Sequence, residues 1–348
     1  MTLSRRLFIA GSGLCLLRPS LALSEQNEWT PYHRRPEVQA WAEIVAAENP
    51  ELSVAWILEA LSRARYAGRT ERIMKKPALT ASPKPRNWLA HKQVFVNAER
   101  IYRGRRFIEQ YAPTLRYAAE RWQVPAPIIA SIIGIETTFG KNMGRYRVID
   151  TLSTLSFDYT RRSAYFRDEL CALLKICIRR GLAPHKIYGS FAGAIGLCQF
   201  MPTNILKLGV DLDQDGLVNL RTSAPDAIGS VANFLHHYGW DKKLPVVWEC
   251  ETNMATAMRL GCCSATLTTT LQNALDAGVR VAEPMNAPPE TAVMVVDLPI
   301  ELPMEKRDTL WRLGTVNFAA LLQYNRAFFY AESVRELALA LSGDSAEV

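Results

Sequence analysis

The stretch VPAPIIASIIGIETTFG, residues 124–140, places one carboxylate among isoleucines. Pro125 and Pro127 suit the first turn of a helix, where a missing N–H costs nothing. The apolar run continues through Ile128, Ile129, Ile132, Ile133 and Ile135, and Gly140 offers a stop. Glu136 follows Ile129, Ile132 and Ile133 at i+7, i+4 and i+3, so on a helix it shares their face. A carboxylate on a buried face loses solvation, which raises its pKa and fits it to move protons near neutral pH. A second reading stands beside this one, with Glu136 at the edge of the face and bonded to a helix end or an arginine.

The chain around this stretch has 348 residues, 49% hydrophobic and 22% charged, an ordinary globular composition with room for one large domain or two modest ones. Its net charge is +7, and three of those charges (Arg5, Arg6, Arg18) lie in the first 22 residues. The remainder tolerates a polyanionic substrate without demanding one. No basic run with interleaved aromatics argues for nucleic acid. Arg5-Arg6 before a short apolar run, Ile9 to Leu17, and the small residues Ser20-Leu21-Ala22 read as a twin-arginine signal peptide over 1–22. Cys15 follows Leu14, a poor lipoprotein site, and no stretch is long and apolar enough to span a bilayer. A soluble, exported, periplasmic monomer is expected.

Helical periodicity recurs on both sides. Two amphipathic helices are predicted around Val38–Glu48 and Leu52–Tyr66, an irregular link over Lys75–Asn87, and a mostly helical run from Trp88 to Trp122 that Pro113 interrupts. Helices follow over Tyr165–Arg180 and Asp226–Tyr238. Residues 245–315 change texture, with β-branched runs at Thr266–Leu271 and Thr291–Leu298, and the chain returns to helix from Phe318 to Leu341. Six cysteines lie beyond the leader, and none has metal-ligand spacing. Cys250 with Cys262 or Cys263 is the one pair to consider for a disulfide.

Two loops carry further chemistry. In GSFAGAIGLCQFMP, residues 189–202, small residues let backbone approach a ligand, Gln199 offers a donor and an acceptor, and Phe200 with Met201 offers an apolar surface. A tight turn with close helix packing explains the glycines equally well. Asp211-Leu212-Asp213-Gln214-Asp215-Gly216 matches the start of an EF-hand loop, three carboxylates at alternate positions before a glycine. Thr222 stands where the bidentate Glu is expected, so the last ligand must come from elsewhere, and Asp226 is nearest. Calcium is expected there, an empty solvated Asp turn being the other reading.

PAPIIASIIGIETTFGKNMGRYRVIDTLSTLSFDYTRRSAYF (125–166), GSFAGAIGLCQFMPTN (189–204), DLDQDG (211–216), DAIGSVANFLHHYGW (226–240) and YNRAFFYA (324–331) together resemble the membrane-bound lytic murein transglycosylase B family, in the family's order. The resemblance implies a mainly α (α+β) fold: a lysozyme-like helical core, an additional N-terminal α region and a small β-containing subdomain. On it the chain divides into an α region over 30–100, a catalytic core over 101–244 with the 211–226 loop, a β subdomain over 245–315 and a C-terminal helix over 316–345. It implies non-hydrolytic cleavage of the MurNAc-β-1,4-GlcNAc bond of peptidoglycan to 1,6-anhydroMurNAc ends, with Glu136 as the single catalytic acid/base. Ser190, Gln199, Asn325 and Tyr330 fall on cleft positions of the family's motifs, and Tyr324 opens the last of them.

By the same resemblance Arg161 and Arg162 meet the peptide stem, and Asp211, Asp213, Asp215 and Asp226 hold a structural Ca2+. No organic cofactor is implied. The partners implied are glycan strands and, as candidates, other cell-wall enzymes. His91 and Phe234 stand where the family often has tyrosines. A hydrolytic muramidase and a non-catalytic peptidoglycan-binding scaffold are the alternatives.

Overall fold

In the computed structural model, residues 29–75, 86–281, 286–302 and 306–343 are described. The signal peptide predicted over 1–22 and most of the predicted link over 75–87 lie outside them. Pro125 caps the Ala126–Thr137 helix, with Pro127 in its first turn, and Thr138 ends it in the left-handed region at φ 53°. Every residue from Ile128 to Thr137 except Glu136 is buried, Ser131 included. The one-face reading therefore understates the helix. It is covered on all sides, which places it at the centre of the molecule.

Four other helices do the covering: Ala98–Gln110, Ala112–Trp122, Ala224–His237 and Phe328–Ser342. Gly134 permits the closest approach, because a Cβ there would lie 2.6 Å from the Phe139 ring and 3.2 Å from Leu337. Arg100 braces the helix end, donating to Gly134 O at 2.9 Å and Thr138 Oγ1 at 3.2 Å. Helices Pro36–Glu48, Val54–Ser62 and Gly68–Lys75 precede this core; the helix predicted over Leu52–Tyr66 ends at Ser62, and Gly68–Lys75 follows as a separate helix that the sequence reading did not include.

A five-stranded antiparallel sheet occupies the region predicted to be partly β, in the order Thr269–Thr270, Ala292–Glu301, Arg307–Gly314, Val247–Glu251, Arg280–Val281. Two short helices, Met254–Arg259 and Leu271–Asp276, interrupt it. Alternation divides the long strand: Met294, Val296, Leu298 and Ile300 join the main core, while Val293 and Val295 join a smaller cluster with Trp248, Trp311 and Leu313. All six cysteines are free, so the considered pairing of Cys250 with Cys262 or Cys263 is not formed.

The single helix predicted over 316–345 is corrected to two, Val316–Tyr324 and Phe328–Ser342. Asn325 is extended at φ −149°, ψ 119°, and Ala327 N–H closes a tight turn on Asn325 O at 2.7 Å. The break lets Tyr324 and Tyr330 leave different helices and stack, their ring centroids 6.2 Å apart and nearly parallel. One continuous helix would spread them over six positions, on different faces.

Candidate active site

Glu136 lies in the last turn of the central helix and keeps partial exposure where Ile135 and Thr137 on either side are buried. Burial pushes its pKa up to about 7, and the Tyr330 hydroxyl, donating to Oε1 at 2.8 Å, pulls the other way. No neighbouring carboxylate or cation contributes to the shift. Asp150, the next acidic residue along the chain, accepts the Arg65 N–H at 2.9 Å and pairs with Arg147 at 3.4 Å. The site thus holds one acid poised near neutrality.

Tyr324 donates its hydroxyl to Cys198 O at 2.7 Å, which ties the C-terminal turn to the glycine-rich loop. Thr137 ties the same loop to the central helix, its Oγ1 donating to Leu197 O at 2.9 Å and accepting from Gly140 N at 3.0 Å. Sequence reasoning passed over Thr137 and the Cys198 carbonyl. The only available signal for Thr137 was its place directly after Glu136.

Within the loop, Ser190 Oγ accepts from Ala194 N at 3.0 Å and Ala192 N at 3.2 Å, which leaves its hydroxyl proton free to donate. Gln199 sits in the left-handed region at φ 51° and commits its amide nitrogen to Gly196 O at 2.8 Å and Met143 O at 3.4 Å. Gly196 at φ 79° is required, since a Cβ would meet Leu220 O at 2.3 Å. Gly144, beside the Tyr146–Arg147 and Tyr188–Gly189 ribbon, is required too: its Cβ would meet Gly189 O at 2.0 Å.

The predicted cleft residues separate into two groups. Ser190, Gln199 and Met201 are partly exposed, Asn325 is exposed, and Tyr324 and Tyr330 reach the Glu136 cluster. Phe200 is corrected: at 1% exposure it packs against Phe234 and Tyr324, so it supports the site from behind and offers no surface to a ligand. Phe234 is buried in the same aromatic group, where a hydroxyl would need a partner. His91 stacks on Phe95 at 4.7 Å and near Phe329 at 5.1 Å, and burial lowers its pKa. Arg161 and Arg162 are exposed at the start of the Ser163–Arg179 helix and take no part in the hydrogen bonds around Glu136. The Arg162 guanidinium lies 4.3 Å over the Tyr165 ring.

Oxygens of Asp211, Asp213 and Asp226 lie within 4.8 Å of one another, a hard, all-carboxylate set that fits calcium. Asp226 is buried and already organises the loop, accepting Leu212 N at 2.9 Å and Asn219 N at 2.6 Å. Asp215 differs from these three in its contacts. It stands outside the trio, with Oδ1 accepting Leu217 N at 2.8 Å.

The chain is similar to known proteins. Residues 35–339 match the family described as the transglycosylase SLT domain. Membrane-bound lytic murein transglycosylase B of Escherichia coli (strain K12) is 33% identical over 290 residues, 82% of this chain and 77% of the relative's. The soluble lytic transglycosylase SltB1 of Pseudomonas aeruginosa superposes with a TM-score of 0.80 at 31% identity, over 88% of this chain and 98% of that one. The Escherichia coli lytic transglycosylase Slt35 in complex with calcium gives 0.76 at 29% identity, over 89% and 93%.

Proposed function

The chain belongs to the transglycosylase SLT domain family and is a lytic murein transglycosylase acting on peptidoglycan; from that premise we propose that Glu136 alone performs both proton transfers. Protonated by its apolar surroundings, Glu136 donates to the glycosidic oxygen as the bond from C1 of the muramic sugar breaks. Oε1 accepts from Tyr330, which leaves Oε2 to carry that proton. The resulting carboxylate takes the proton of the C6 hydroxyl as that oxygen bonds to C1, and the 1,6-anhydro ring closes. One proton leaves and one returns, so the enzyme is regenerated without water.

The observation that carries this reading is a single acid, half-enclosed at the end of a buried apolar helix, bonded to Tyr330 and with no second carboxylate acting on it. Hydrolytic glycosidases place a pair of carboxylates about the scissile bond. An internal hydroxyl replaces the second one, and its proximity removes most of the entropic cost of attack. Ser190, Gln199, Met201, Asn325, Tyr324 and Tyr330 are the proposed cleft contacts. Arg161 and Arg162 offer guanidinium forks to stem-peptide carboxylates.

Calcium held by Asp211, Asp213 and Asp226 supplies charge neutralisation to a loop that otherwise gathers like charges. We keep the proposed division at 244/245 and 315/316, its last piece now being a helix pair, and correct the boundary at 100/101, which would cut the continuous Ala98–Gln110 helix, to the turn before Ala98. Among the described residues no helix is long and apolar enough to cross a membrane. Delivery of a monomer to the periplasm by the twin-arginine route is the localisation proposed from the leader.

Purified sacculi digested with wild type and with Glu136→Gln test the mechanism by mass spectrometry of soluble fragments. The expected products are anhydro-ended, lighter by one water than a muramidase's, and absent with Glu136→Gln. Hydrated ends from the wild type would establish the hydrolytic alternative. Unchanged behaviour of the two proteins would establish the scaffold.

A further inference from the structure

Outside the catalytic cluster, the turn after the Met254–Arg259 helix meets the long strand Ala292–Glu301 at a cavity of about 380 Å³. Arg86, Cys263, Asp297, Arg326 and Phe329 line it. Cys262 Sγ lies 3.3 Å from Cys263 Sγ, and Cys263 Sγ lies 3.9 Å from Asp297 Oδ1. One ligand atom from each of the three residues falls within 4.8 Å of the others. We propose that Cys262, Cys263 and Asp297 form a binding site for a single thiophilic divalent cation, zinc being the ion that fits best, with a fourth position open to the cavity.

Coordination geometry supports the assignment. Around a tetrahedral zinc with bonds of about 2.3 Å to sulfur and about 2.1 Å to oxygen, two sulfurs stand about 3.7 Å apart and a sulfur and an oxygen about 3.6 Å; the sulfurs here are 3.3 Å apart and Cys263 Sγ is 3.9 Å from Asp297 Oδ1, so shifts of a few tenths of an ångström complete the geometry. Charge also balances. Two thiolates and a carboxylate beside the Arg86 guanidinium, which donates to Asp297 Oδ2 at 3.0 Å, leave a double negative charge that one divalent ion cancels. Asp297 is 6% exposed and turns its other oxygen toward Cys263. Cys263 is held in the left-handed region at φ 69°, a conformation that costs a side chain free energy and points the thiol at its partners. Sequence spacing missed the site because Asp297 lies 34 residues from Cys263.

Zinc titration of the reduced full chain against a chromophoric chelator tests the site, with calcium in excess so that the Asp loop does not compete. The expected result is one tight equivalent, and a near-ultraviolet thiolate band when cadmium replaces zinc. Cys263→Ser and Cys262→Ser should abolish it, Asp297→Asn should weaken it by at least about tenfold, and Cys250→Ser should leave it unchanged. Absence of uptake, uptake indifferent to Cys263→Ser, or an isolated protein whose Cys262–Cys263 pair is a vicinal disulfide two hydrogens short would overturn the proposal.

Discussion

Tyr330 Oη donates to Glu136 Oε1 at 2.8 Å across 194 residues of sequence, and this bond opposes the burial that raises the acid's pKa. A hydroxyl that donates to a carboxylate stabilises the ionised form. Tyr330→Phe should therefore raise the Glu136 pKa further above about 7. A hydrogen bond to a charged group is worth about 1.5–3 kcal/mol, or roughly one to two pH units. Because the reaction needs Glu136 protonated, the alkaline limb of the kcat/KM profile on sacculi should move upward by that amount. The maximum rate should fall about 10- to 100-fold as the acid loses its fixed orientation. A variant whose alkaline limb stays in place would show that the hydroxyl does not act on Glu136.

Glu136 also makes stability depend on pH. Its folded pKa of about 7 exceeds the ordinary 4.5, so its contribution is complete below pH 4.5 and is lost as pH rises through 7. The loss amounts to at most about 3 kcal/mol. Glu136→Gln removes the titration, and urea unfolding at pH 5 and pH 8 should show a smaller decline for the variant than for the wild type. The variant should be the more stable protein at pH 8 while losing the catalytic factor of about 100 to 10,000 that a general acid supplies. Equal declines would mean that Glu136 does not titrate in the folded chain.

Much of this site was legible locally. The isoleucines around Glu136 announce a buried helix, and the Asp211–Gly216 spacing announces a cation loop. Tertiary packing decided the rest. Residues 316–342 contain neither proline nor glycine, so nothing local marks the break at Asn325 that lets Tyr324 and Tyr330 converge. Phe200 lies in a loop where sequence gives no face, and the aromatic group of Phe234 and Tyr324 captured it. Asp215 matched the motif, yet the turn at Gly216 directs its carboxylate to Leu217 N–H.

The Asp loop should respond to calcium as a ligand that binds only the folded state. At free calcium about 100-fold above its Kd, stabilisation of roughly 2.7 kcal/mol is expected, reversed by a chelator. Asp213→Asn should erase the response, and Asp215→Asn should preserve most of it because Asp215 lies outside the trio. Thermal unfolding with and without calcium checks both. An equal loss in the two variants would return Asp215 to the ligand set.

Glu332 is wholly buried two residues beyond Tyr330, and it accepts from Arg312 of the sheet at 3.2 Å and from Arg335 of its own helix at 3.1 Å. Both arginines also reach Glu249 on a second strand, at 3.3 and 3.2 Å, and Glu336 pairs with Lys92 at 2.5 Å. The cluster fastens the sheet to the helix that presents Tyr330. Glu332→Ala leaves the two buried guanidiniums only the more exposed Glu249 and, for Arg335, Glu336, so the loss should approach the lower end of the about 3–5 kcal/mol that removing one partner of a buried pair costs. The arginines are 7% and 9% exposed, so water recovers little of that. Arg312→Met with Glu332→Met should regain part of the loss, because it removes one of the two guanidiniums while Arg335 keeps Glu249 and Glu336. Denaturant unfolding of the single and double variants measures both terms. A single variant that loses less than about 1 kcal/mol would show that the cluster does not hold sheet and helix together.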